Sequence, residues 1–163
     1  MIRADIAVLN GKMIGYEIKT ERDTLKRLPA QVMAYNEVFD KAFIITSRKH
    51  LKQVRELIPK WWGIYEIIEN ANGSYSFKRR RSGNCNEGQN AFTIAQLLWK
   101  AEALEIANDL LQTNVKGTIA KKQIYQAICE GCCRKKLSKI VIQYLKQRDS
   151  WRSNRPSPSQ NDD

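Results

Sequence analysis

Arg3-Ala4-Asp5-Ile6-Ala7-Val8-Leu9-Asn10-Gly11-Lys12-Met13-Ile14-Gly15-Tyr16-Glu17-Ile18-Lys19 is the stretch that decides the fold. Residues 2–9 are rich in apolar and β-branched side chains and read as a strand, and Asn10-Gly11 is a strong hairpin signal. Residues 12–19 read as the partner strand, with Gly15 marking a bulge or a close backbone approach. Strand side chains alternate, so Glu17 and Lys19 project from one face while Ile18 points away. Asp5 stands on the first strand among apolar residues, where an unpaired carboxylate is costly to bury. Two arrangements satisfy it: an ion pair with Lys19, or a divalent cation held through oxygen between Asp5 and Glu17. Two carboxylates around one lysine leave excess negative charge, which favours Mg²⁺ or Mn²⁺. Lys19 would then orient a water or steady developing negative charge.

Outward from the hairpin, Pro29 suits the first turn of a helix and predicts one over residues 29–39. Gln31 and Tyr35 are four apart and share a face of it. Ala42-Phe43-Ile44-Ile45-Thr46 is a continuous apolar run, which suits a strand buried on both faces. Ser47 is placed to cap a helix over residues 48–57, ended by Pro59. Residues 63–68 and 74–78 read as two further strands joined at Asn72-Gly73. The expected order is ββαβαββ: an α/β fold with a mixed β-sheet flanked by helices.

Lys78-Arg79-Arg80-Arg81 closes this core at residues 1–81, and the polar residues 82–90 read as a mobile linker. Residues 91–152 read as a small, basic helical C-terminal region. Its helices are expected over 92–111, from a cap at Thr118 to 128, and over 134–146. Residues 153–163, with Pro156 and Pro158 among Ser, Asn and Gln, read as a disordered tail.

The order of elements, with Asp5, Glu17-Ile18-Lys19 and the Gln31–Tyr35 pair, resembles the PD-(D/E)XK nuclease superfamily, in its RecB-like and exonuclease branch. Arg3–Val8, Gly15–Lys19, Asp23-Thr24-Leu25 and Trp61-Trp62-Gly63 are similar to a bacterial nuclease-like family. The resemblance spans residues 1 to about 66. It implies a restriction-endonuclease-like core and a Mg- or Mn-dependent deoxyribonuclease, a phosphodiesterase-type hydrolase of either endonuclease or exonuclease action. Asp5, Glu17 and the Ile18 carbonyl would hold the metal, Lys19 and Gln31 would complete the catalytic set, and Tyr35 would contact the DNA backbone. The superfamily's usual first helix is missing ahead of Asp5. Either the sequence is truncated there or a partner supplies that helix, and a homodimer is the other assembly expected.

Composition points to the partner class. The chain has 163 residues, 42% hydrophobic and 28% charged, and a net charge of +11. Of its Lys and Arg, 16 lie in residues 71–163 against 8 Asp and Glu, so the second half is the more basic. A nucleic acid is the polyanion expected, DNA first and RNA not excluded, with Arg22, Arg79, Arg80, Arg81, Lys135, Lys136 and Lys139 as candidate phosphate contacts. Solubility alone is the competing account of such charge. No apolar run reaches the roughly 18 residues of a membrane span, and a cytoplasmic location is expected. Cys129-x-x-Cys132-Cys133 reads as packing on a helix, because a structural zinc site needs four ligands and His50 is the one histidine. His50 is expected on a solvated helix face, Trp61-Trp62 in the core, and Asp23 as a cap. Beside the nuclease stand two other readings: a non-catalytic nucleic-acid-binding protein in which the acidic pair survives as structure, and a partner-dependent subunit.

Overall fold

A computed structural model of the chain describes residues 3–112 and 118–148. Its centre is a five-stranded mixed sheet in the order β1-β2-β3-β4-β5, formed by Ile6–Leu9, Met13–Lys19, Lys41–Thr46, Gly63–Glu69 and Tyr75–Arg81. Both hairpins, β1/β2 and β4/β5, are antiparallel, while β2/β3 and β3/β4 are parallel. Gly11 and Gly73 take φ of +67° and +77° in their turns, a left-handed conformation that glycine supplies without strain. The parallel crossovers carry α1 (Leu28–Val38) and, after a 3₁₀ turn at Arg48–His50, α2 (Leu51–Leu57). The fold is α/β, as the apolar run at residues 42–46 and the placement of Pro29 anticipated.

The two faces of the sheet differ. On one, Met13, Glu17 and Lys19 of β2, Ala42, Ile44 and Thr46 of β3, and Ile64 and Glu66 of β4 are all buried. Leu28, Val32 and Tyr35 of α1, Val54 of α2 and Trp62 are buried with them in the core. On the other face Ile6, Val8 and Phe77 are exposed, and Tyr16, Phe43 and Tyr65 are partly buried. The burial pattern of β2 alternates strictly, so the register leaves one polar pair, Glu17 and Lys19, inside an otherwise apolar layer.

The closest backbone approach is at Gly63. A Cβ there would stand 2.2 Å from the Phe43 ring and 3.0 Å from the Gly83 backbone nitrogen. Phe43 has little room to yield, because its ring packs between Tyr16 and Tyr65 at centroid separations of 5.2 and 5.7 Å. Gly63→Ala should therefore lower stability by about 1–3 kcal/mol, the usual cost of overpacking, read as a lower urea midpoint at unchanged m-value.

Residues 82–90 have no regular structure, as their composition predicts, but they are pinned. Asn86 donates from its backbone to the Asp40 carbonyl and from its side chain to the Asn36 and Phe39 carbonyls. Gln89 is buried and donates to Asp40 at 2.8 Å. The amides that read as loop-formers thus satisfy carbonyls left open at the end of α1.

The following helices are α3 (Ala91–Ala95), α4 (Lys100–Leu111), α5 (Lys121–Gly131) and α6 (Arg134–Gln147). The helix expected over residues 92–111 is broken at residues 96–99, where Glu102 accepts from the Trp99 backbone N–H at 2.7 Å and starts a new helix. The second helix begins at Lys121 rather than after Thr118. Arg148 donates to Glu102 and to the Leu97 carbonyl, with its guanidinium 4.3 Å from the centre of the Trp99 ring. Ile94, Ala103, Ile106, Ile124, Ile128, Leu137 and Val141 extend the same buried cluster as the sheet core. Cys129 and Cys132 pack against it, as expected. No helix among the described residues is long and apolar enough to cross a membrane. The tail expected to be disordered, residues 153–163, lies outside the described residues.

Candidate functional site

Glu17 is 1% exposed, and three protein groups converge on its carboxylate. Lys19, two residues along the same strand and 5% exposed, donates to Oε1 at 2.6 Å. Gln31 donates to the same oxygen, and Tyr35 donates to Oε2 at 2.9 Å. The spacing of Gln31 and Tyr35 by one helical step lets α1 deliver both to one acceptor. Burial and the adjacent Glu17 charge hold the Tyr35 hydroxyl protonated, far above an ordinary phenol. A buried carboxylate is tolerated only when paired and hydrogen-bonded, and this one is both.

Asp5 behaves differently. It is exposed, stands just ahead of β1, and accepts from the Ile18 backbone N–H at 2.8 Å. The ion pair of Asp5 with Lys19, one of the two arrangements weighed for Asp5, is not formed: Lys19 pairs with Glu17, while the Asp5 carboxylate is engaged by the Ile18 N–H. Both carboxylates line a cleft of about 430 Å³ with Arg3, Lys19, Asp23, Arg27 and Gln31. Asp23 accepts from the hydroxyl and the backbone N–H of Thr20, at 2.7 and 2.8 Å, which holds its carboxyl below its usual range. It closes its own turn; it does not cap α1. Arg22 is exposed beside it.

Deeper in the same layer the sequence reading missed a second buried pair. Glu66, 2% exposed, is paired by Arg80. Arg81 donates to the Trp62 and Pro59 carbonyls at 2.8 and 2.9 Å. Arg80 and Arg81 are therefore engaged within the fold, while Lys78 and Arg79 stay exposed. His50 is 6% exposed, not solvated as expected. The turn at Arg48–His50 is 3₁₀, with about three residues per turn, so helical spacing counted from Ser47 misplaces the side chain. Thr46 Oγ1, Ser47 Oγ, His50 Nε2 and Gln31 Oε1 are buried without a hydrogen-bond partner among the described residues, and Ser47 occupies its cap position without using its hydroxyl.

No group of three or more His, Cys, Asp or Glu side chains among the described residues is arranged to hold a metal ion. Where a metal was expected at Asp5, Glu17 and the Ile18 carbonyl, the Glu17 carboxylate accepts from Lys19, Gln31 and Tyr35, with the lysine balancing its charge. The remaining candidates lie apart from the cleft's network, on α6. Lys135, Lys136, Lys139 and Lys146 are exposed along the side opposite the buried Leu137, Val141 and Leu145, and α6 contains no acidic residue.

Residues 1–156 match a protein family described as bacteriophage P4 protein cII. The chain is similar to Protein cII of Enterobacteria phage P4, with 28% identity over 156 residues, covering 93% of this chain. The chain spans only 56% of that curated relative's length. No solved structure matches. The match runs over nearly the whole chain and takes the place of the resemblance to PD-(D/E)XK nucleases, which rested on residues 1 to about 66. With that resemblance goes the reading as a hydrolase, a Mg- or Mn-dependent deoxyribonuclease of endonuclease or exonuclease type. The motif misled for a physical reason: Glu-x-Lys on a strand beside Gln-x-x-x-Tyr on a helix is also the pattern of a self-satisfied buried ion pair.

Proposed function

The chain belongs to the bacteriophage P4 protein cII family, and from that premise we propose that it is a non-catalytic nucleic-acid-binding protein in which the acidic pair serves the fold. The observation that carries the reading is α6, which exposes four lysines and bears no carboxylate. A helix of this kind neutralises phosphates and releases their counterions, a sequence-independent source of affinity. The net charge of +11, concentrated in residues 71–163, adds long-range attraction for a polyanion. The network around Glu17 supports the non-catalytic half of the reading, since three protein donors already engage its carboxylate.

Incubating the protein with end-labelled duplex and single-stranded nucleic acid in Mg²⁺ or Mn²⁺ buffer tests both halves. The expected result is retention at low salt, release at high salt, and recovery of the nucleic acid at full length. No retention at low salt would end the binding reading, and shortened strands that disappear in a Glu17→Gln variant would end the non-catalytic one.

A further inference from the structure

The open face of the sheet carries a feature that charge alone does not explain. Residues directly opposed in a ladder share a face, so Phe77, paired with Ile67, and Arg79, paired with Tyr65, lie on the side where Tyr16, Phe43 and Tyr65 form a row of rings. Tyr75 and Phe77 are 60% and 59% exposed on β5, the last strand of the sheet. Two large rings in water on an edge strand are a liability unless something covers them. Along β5, Ser76 and Lys78 point to the opposite face, which leaves Arg79 beside the two rings on this one, and Lys41 stands on the same face two strands away. Glu69, opposite Tyr75, is the acidic residue at the end of this surface.

We propose that this face binds single-stranded nucleic acid, with bases stacking on Tyr75 and Phe77 and the phosphates held by Arg79 and Lys41. The inference rests on the nucleic-acid reading and sharpens it to a strand state. Every base offers a π-face, so exposed rings spaced along a strand and flanked by cations bind single strands without needing a base sequence. A duplex keeps its bases stacked on each other and offers such rings nothing. The cations beside the rings favour this occupant over a second copy of the chain, because two copies meeting on this face would bring Arg79 and Lys41 toward like charge.

The test compares binding of a labelled oligothymidylate with that of a duplex of equal length, by fluorescence anisotropy. In the double variant Tyr75→Ala, Phe77→Ala, single-strand affinity should fall by about tenfold or more while duplex affinity stays unchanged. Both side chains are mostly in solvent, so the variant should keep the wild-type melting temperature. Phe77→Trp should preserve single-strand binding and report it by fluorescence quenching. An equal loss on both ligands, or no loss on the single strand, would overturn the stacking surface. A wild-type dimer dissolved by the double substitution would assign the face to a second copy and overturn it too. Wild-type protein that binds neither ligand would instead sink the nucleic-acid reading itself.

Discussion

Lys19→Ala should destabilise the protein by about 3–5 kcal/mol, the cost of leaving a buried charge without its partner. Glu17 and Lys19 are 1% and 5% exposed and 2.6 Å apart, so water cannot replace the lost ammonium. A lysine read as the solvated end of a strand would instead give the small loss of an exposed pair, about 0–1 kcal/mol. Glu17→Gln alone should also destabilise, since it strands the ammonium in the same apolar layer. The double variant Glu17→Gln, Lys19→Met should recover most of the loss, because replacing a buried pair by neutral groups of similar volume is often close to neutral. Urea midpoints at constant m-value measure all three. A Lys19→Ala variant as stable as wild type would show that the pair is not the buried element described.

The second large effect concerns α6. Changing Lys135, Lys136 and Lys139 to Gln should weaken duplex DNA binding by roughly 10²-fold at physiological salt, given about 0.9 counterions released per phosphate neutralised. All three are exposed and face away from the buried stripe of the helix, so the melting temperature should hold. Arg80→Gln and Arg81→Gln should behave in the opposite way. Arg80 pairs with buried Glu66 and Arg81 holds the Trp62 and Pro59 carbonyls, so their loss should lower stability more than binding. Thermal melts run beside the binding isotherms separate the two groups of residues.

Much of the sheet was legible because local signals agreed. Asn10-Gly11 and Asn72-Gly73 announced both hairpins, and the run Ala42–Thr46 announced a central strand. Pro29 placed the start of α1 to within one residue. What stayed hidden depended on pairings across the sheet. The burial of Lys19 shows only when β2 is set beside β3, where its register partner Thr46 is also buried. Arg80 and Arg81 read as one cationic run with Lys78 and Arg79. An irregularity in the β4/β5 ladder between Ile64 and Tyr65 goes with their different surroundings, and no pattern in the run itself predicts it.

The candidate site shows a sharper limit. Glu17, Lys19, Gln31 and Tyr35 do come together, so the grouping was legible. Its meaning was not, because one set of residue types serves a reacting centre or a closed buried network. Which it is depends on whether the carboxylate oxygens remain open. Tyr75 and Phe77 were passed over for a related reason: aromatic residues alternating along a strand normally face a core, and only the uncovered side of this sheet exposes them.

The central claim, that the protein holds nucleic acid through the cationic face of α6, is tested most directly by the salt dependence of duplex affinity. Log K should fall linearly with log salt for the wild type. In the Lys135→Gln, Lys136→Gln, Lys139→Gln variant the slope should be shallower by about 0.9 for each phosphate contact removed, or about 2.7 in all. An identical slope in the two proteins would contradict the account, because it would mean that α6 meets no phosphate.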